Sequence, residues 1–173
     1  KDLRNDPING DQYFQKINQN GDRQWGDGVQ LDLSDDIDFS ARFSPGLNGD
    51  INVIWERGTF PQVDILFQNI NSSGNHSLEN PLFISNYNGY QFSPILSGNV
   101  DEGLFAIYAD QGNGSINLKV QLINSDFQSS WEDNGIQSMF GMDGDVNYTN
   151  HFSIAEEDFI LLWEDNRSSK KLY

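Results

Sequence analysis

The run Asp143-Gly144-Asp145-Val146-Asn147 sets three oxygen-bearing side chains at alternate positions. Hard cations prefer oxygen ligands, so Asp143, Asp145 and Asn147 form a candidate calcium loop. The EF-hand spacing and its closing Glu are absent, and Asp-Gly is first of all a turn. No other cofactor is indicated. A different chemistry, glycoside hydrolysis, needs two carboxylates about 5–10 Å apart. Glu56, Asp110, Glu164 and Asp165 are the acids that bear on it. Each closes an aliphatic stretch that carries an aromatic residue near its end, so their recurrence reads as a repeated structural contact. The expected donors are turn amides or Arg57 and Arg167. His76 and His151 have no partner at metal or triad spacing and read as surface or packing residues. Asn20-Gly21-Asp22-Arg23-Gln24-Trp25 lies where a sialidase-type aspartate box would, but the Ser and Asp of that box are missing. No catalytic residue is assigned.

What positions these residues is a repeat. Gln15, Gln68 and Gln121 stand 53 residues apart, within Phe14-Gln15-Lys16-Ile17-Asn18, Phe67-Gln68-Asn69-Ile70-Asn71 and Val120-Gln121-Leu122-Ile123-Asn124. Trp25, Leu78 and Trp131 keep the same interval. Trp55 precedes Tyr108 by 53 residues, and Trp163 follows Tyr108 by 55. A fixed period is the mark of repeat architecture. The units run over 11–62, 63–115 and 116–170, and the whole of 1–173 reads as one repeat domain.

Each unit holds four strand-like segments. The first covers Asp38–Phe43, Tyr90–Leu96 and Asn147–Ile154. The second ends at Trp55, Tyr108 or Trp163. The third carries the recurring Gln, and the fourth spans Arg23–Leu31, Ser77–Ile84 and Ser130–Met139. Asn20-Gly21, Ser73-Gly74 and Ser125-Asp126 supply the hairpin turns between third and fourth segments. Ile54 points away from Ile51, Val53 and Trp55, and Phe105 and Ile107 point away from Leu104, Ala106 and Tyr108. A strand apolar on both faces lies between two layers. Ile154 to Glu164 is the most helix-like stretch, but its register with two strands favours a strand there too. The expected fold is all-β: β-propeller blades of four antiparallel strands, two full blades plus two half-blades. Asp2-Leu3-Arg4-Asn5 resembles Asp165-Asn166-Arg167-Ser168. Neighbouring blades or subunits are therefore expected against both ends.

Composition narrows the partners. The chain of 173 residues has a net charge of −16, with 26 acids against 10 bases. Such a surface repels phosphate backbones, and no basic patch offsets it, so nucleic acid is not an expected partner. There are 19 Asp, 20 Asn and only 4 Ala, a turn-rich rather than helix-rich balance. The absence of Cys excludes disulfides, thiolate metal sites and a Cys nucleophile. No apolar run approaches the ~18 residues of a membrane-spanning helix.

The pattern Trp163-Glu164-Asp165-Asn166-Arg167, then Gln15, Asn20-Gly21 and Trp25-Gly26-Asp27-Gly28, resembles repeats of large secreted bacterial proteins exported by the Bacteroidetes-type route. Gln121, Trp131 and Asp133-Asn134-Gly135 match as well, while the middle unit departs with Tyr108 and Leu78. The resemblance covers nearly the whole chain, and its motifs are structural. It implies a secreted or cell-surface protein with propeller-like regions and a structural or binding role. The expectation is a non-catalytic module that binds protein or glycan. The alternative is part of a carbohydrate-active propeller enzyme, marked by unique residues meeting at one mouth of the channel.

Overall fold

The structure is a computed structural model that describes residues 11–99, 103–112, 114, 116–132, 134–137, 146–155, 158–165 and 171–172. For 99, 146–155, 158–159, 162–165 and 171–172 it describes the backbone alone. The strands are β1 (Tyr13–Phe14), β2 (Val29–Gln30), β3 (Asp38–Pro45), β4 (Ile51–Thr59), β5 (Gln62–Ile70) and β6 (Leu82–Ser85). They continue as β7 (Gln91–Asn99), β8 (Gly103–Asp110), β9 (Asn117–Ile123), β10 (Ile136–Gln137), β11 (Val146–Ala155), β12 (Asp158–Asp165) and β13 (Lys171–Leu172). The fold is all-β, and every strand pair within the sheets is antiparallel. Two four-stranded meanders, β3-β4-β5-β6 and β7-β8-β9-β10, lie between a two-stranded sheet, β1-β2, and a three-stranded one, β11-β12-β13. Of the helix-like stretch, 154–155 end β11 and 158–164 form most of β12, two strands paired from Val146↔Asp165 to Ala155↔Asp158. Among the described residues no helix is long and apolar enough to cross a membrane.

The sheets are layered face to face, and their contents follow from the period of two along each strand. On β4, Val53 and Trp55 join Leu31, Leu66 and Ile70 in a core shared with Phe14, Trp25 and Val29 of the preceding sheet. Ile54 points to the opposite side, with Phe67, Leu104, Ala106 and Tyr108. Phe105 and Ile107 face onward, towards Leu161 of β12. Trp55 and Tyr108 are both fully buried and occupy equivalent places. Truncating a buried aromatic to Ala costs about 3–5 kcal/mol, so these two anchor the stack.

The recurring Gln proves to be a backbone clamp. Gln68 accepts the N–H of Leu78 and donates to its carbonyl, both at 3.0 Å. Gln121 does the same with Trp131, at 3.1 and 3.2 Å. Gln15 accepts from Trp25 and donates to Gly26, both at 2.9 Å. Each hairpin tip is closed by the Asn that ends the motif: Asn71, for example, accepts the amides of Ser73 and Asn75, each at 3.0 Å. Asn18 and Asn124 repeat this arrangement. The tip needs a left-handed residue, supplied by Gly21 (φ 87), Gly74 (φ 88) and, against the usual preference, Phe127 (φ 56). Phe127 packs on Phe67, ring centroids 5.8 Å apart, and that contact offsets the strain.

Two expectations need correction. The fourth segments are not continuous strands: after isolated bridges at Arg23, His76 and Ser129, regular pairing resumes only at β2, β6 and β10. The Gln side chain takes the place of the missing ladder. Arg57 also does not serve Glu56. It turns to Asp32 and Asp38, and Glu56 bonds the next sheet.

Candidate functional site

The turns that join one sheet to the next form two corners in the same register. Arg57 of β4 and Asp110 of β8 are equivalent positions, each paired across the ladder with the first residue of the inner strand, Asp38 or Gln91. A cleft opens beside each corner.

At the first corner, of about 440 Å³, charge is satisfied within the protein. The Arg57 guanidinium donates to Asp38 at 2.9 and 3.3 Å and to Asp32, and it lies 5.8 Å from the Trp55 ring centroid. Burial alone would push the Asp32 carboxyl up. The Ser34 amide, at 2.6 Å, and Arg57 outweigh it and hold Asp32 below its ordinary value. Asp38 is more enclosed, and burial keeps it above the ordinary value despite Arg57. His76 belongs here: its Nε2 lies 2.9 Å from the Gln30 carbonyl, inside the stack of hairpins.

The second corner, of about 500 Å³, has other chemistry. Asp110 accepts from the Gly112 amide at 3.0 Å and from Gln91 at 3.2 Å, and pairs with Lys119 at 3.4 Å. The Lys119 ammonium also lies 5.8 Å from the Tyr87 ring centroid. Asn134, in left-handed backbone, accepts the Asn86 amide at 2.9 Å, and Gln137 donates to Asn117 at 3.1 Å. Tyr108, fully buried, ties down the backbone of Asn134. Burial pushes its phenol well above the ordinary range, so it stays a neutral donor to the Asn134 carbonyl. Tyr87 is 49% exposed at the rim.

A third cleft, of about 330 Å³, lies between β3 and β7 and holds Glu56 beside Arg42, Ser40 and Phe92. Burial pushes Glu56 up, and the Ser93 amide at 3.0 Å only partly offsets it. Glu56 is the one carboxylate among the residues that line this cleft, so a two-carboxylate mechanism has no second member there.

The acids singled out from the sequence therefore separate. Glu56 faces the following sheet, and Asp110 the preceding one. The turn-amide expectation holds at Asp110, whereas Glu56 reaches a strand amide of the next unit. For Glu164, Asp165 and His151 the backbone is described, in β12 and β11. Asp143, Asp145 and Arg167 lie outside the described residues, as do Asp2–Asn5, and Asn147 is described only as backbone paired with Glu164. Among the described residues no group of three or more His, Asp or Glu is placed to hold a metal ion.

The residues missed from the sequence are Asn86, Tyr87, Asn117 and Lys119. Their signal was departure from the repeat: 53 positions earlier stand Leu33, Ser34, Asp64 and the fully buried Leu66. No protein-family model, curated protein or solved structure matches this chain.

Proposed function

We propose that this chain is a segment of a β-propeller in a secreted or cell-surface protein, and that it binds glycan without catalysis at the Asp110 corner. The observation that carries the reading is the replacement of repeat-conforming residues there by amides, a carboxylate, an ammonium and a half-exposed Tyr. Amide side chains offer a donor and an acceptor side by side, which suits the hydroxyls of a sugar. A phenol ring supplies apolar area with a polar tip. At the first corner the equivalent groups are one guanidinium and two buried carboxylates, without the half-exposed ring and the amide side chains of the second.

The blade reading rests on the four-stranded meanders, on inner strands apolar on both faces, and on hairpins repeated in one register. The export reading rests on the resemblance to secreted bacterial repeats.

Calorimetric titration against a panel of neutral and acidic oligosaccharides tests the binding. The expected result is a ligand whose affinity falls about tenfold, or ~1.4 kcal/mol, in Tyr87→Ala and in Lys119→Ala. A panel without a binder, or a binder indifferent to both substitutions, overturns the glycan assignment. Capture of a protein ligand at the same corner would replace it.

A further inference from the structure

The inner strands of the two four-stranded sheets carry the same bulge, 53 residues apart. On β3, Ser40 and Ala41 together stand opposite Trp55, and on β7, Ser93 and Pro94 stand opposite Tyr108. Ser40 (φ 55) and Ser93 (φ 54) are the left-handed members, a costly conformation for a residue with a Cβ. The bulge re-aims a side chain. Phe39 and Arg42 are three residues apart and would face opposite ways on a regular strand. With the extra residue between them, Phe39 pairs with Glu56 and Arg42 with Ile54. Cross-strand partners share a face, as do Ile54 and Glu56, two apart on β4. Arg42 and Glu56 are thereby brought to one face, the one turned towards the second sheet.

Both line the third cleft, whose volume of about 330 Å³ lies at the small end of ligand pockets. Burial disfavours the Glu56 carboxylate, and the Ser93 amide and the Arg42 charge offset this only in part. Arg42 acts through space. Among the described residues it makes no ion pair with Glu56, and one of its donors goes to the Ala41 carbonyl at 3.2 Å. The rest of its fork suits a carboxylate, and the two oxygens of Glu56 have lone pairs beyond the one on the Ser93 amide. Two opposite charges thus share a cleft without closing on each other. In the second sheet Ile95 and Ala109 stand at the positions of Arg42 and Glu56, and they line the same cleft with Phe92 and Ile107. Equivalent positions therefore give it one charged wall and one apolar wall.

We propose that this cleft binds a free α-amino acid with an apolar side chain. The ligand's carboxylate lies on Arg42, its ammonium on Glu56, and its side chain against Phe92, Ile95 and Ile107. An ammonium supplies the countercharge that burial withholds from Glu56. A zwitterion also has no net charge, so the field of a chain at −16 does not repel it as it would a lone anion.

Titration calorimetry with leucine and phenylalanine tests the site, with glycine, N-acetyl-leucine and leucinamide as the comparison set. The expected result is saturable binding of leucine or phenylalanine. Losing the side chain, the ammonium or the carboxylate should each weaken it about tenfold or more. In Arg42→Ala, leucine and leucinamide should bind alike. In Glu56→Gln, leucine and N-acetyl-leucine should bind alike. Thermal melting confirms that both variants fold, and the ligand series on the unaltered chain decides the matter if one does not. Absence of saturable binding by both amino acids would overturn the proposal. So would leucinamide or N-acetyl-leucine binding as well as leucine, which would make the ligand one end of a peptide. Variants that keep the wild-type discrimination would place the ligand elsewhere and overturn it too.

Discussion

The Arg57 and Asp110 corners occupy the same place in successive units and differ in their chemistry. At the first, one guanidinium lies between two buried carboxylates that it neutralises. At the second, the equivalent position is an acid, the cation comes from β9, and amides with an aromatic rim face an open cleft. A repeat fixes where backbone goes. It leaves the side chains at each corner free to differ, down to the sign of the charge at the equivalent position.

The comparison breaks first at Arg57. Arg57→Ala would leave Asp32 and Asp38 buried without a countercharge, a loss expected at about 3–5 kcal/mol in urea unfolding at neutral pH. A loss under about 1 kcal/mol would mean that water already compensates these acids. Lys119→Ala should cost far less, about 1 kcal/mol, because Asp110 keeps the Gly112 amide and Gln91. Equal losses at the two corners would erase the distinction between them.

Glu56 sharpens it further, since the second sheet has Ala109 at that position. Burial raises the folded-state pKa of Glu56 above its ordinary 4.5. Its ionisation therefore opposes folding, and the stability associated with it is greatest in acid and lost as pH rises from 4.5 through the folded value. Glu56→Gln has no charge to gain. The stability of wild type minus that of the Gln variant should decline across this window, and a constant difference would place Glu56 in water. The smallest expected effect is that of Tyr87→Ala on folding, about 0.5 kcal/mol, the scale of a half-exposed contact between its ring and the Lys119 ammonium. A larger loss in the same urea titration would make Tyr87 a packing residue rather than part of the recognition rim.

The stacking was legible because it depends on period alone. Alternation assigned Trp55 and Ile54 to opposite layers, and the 53-residue interval aligned Ile70 with Ile123 without knowledge of any contact. The fourth segments were not legible as broken. Their side chains alternate acceptably, and nothing in local pattern tells that Gln68, ten residues upstream, will satisfy the backbone of Leu78. The corner chemistry was hidden for a related reason. Attention to what recurs discounts what does not, and Asn86, Tyr87 and Lys119 are informative by failing to recur. Which carboxylate Arg57 would choose depends on where the chain from β2 to β3 crosses, and that is a tertiary matter.

The Gln clamp has a consequence for how such a chain can change over time. By gripping main-chain groups rather than a side chain, Gln15, Gln68 and Gln121 are indifferent to the identity of the residue they hold, and the amides of Trp25, Leu78 and Trp131 are held alike. The segment beyond each clamp can be rewritten, lengthened or shortened while its point of attachment stays put. What stays constrained beyond the clamp are the residues that return to the layers, such as Leu31 and Ile84, both fully buried.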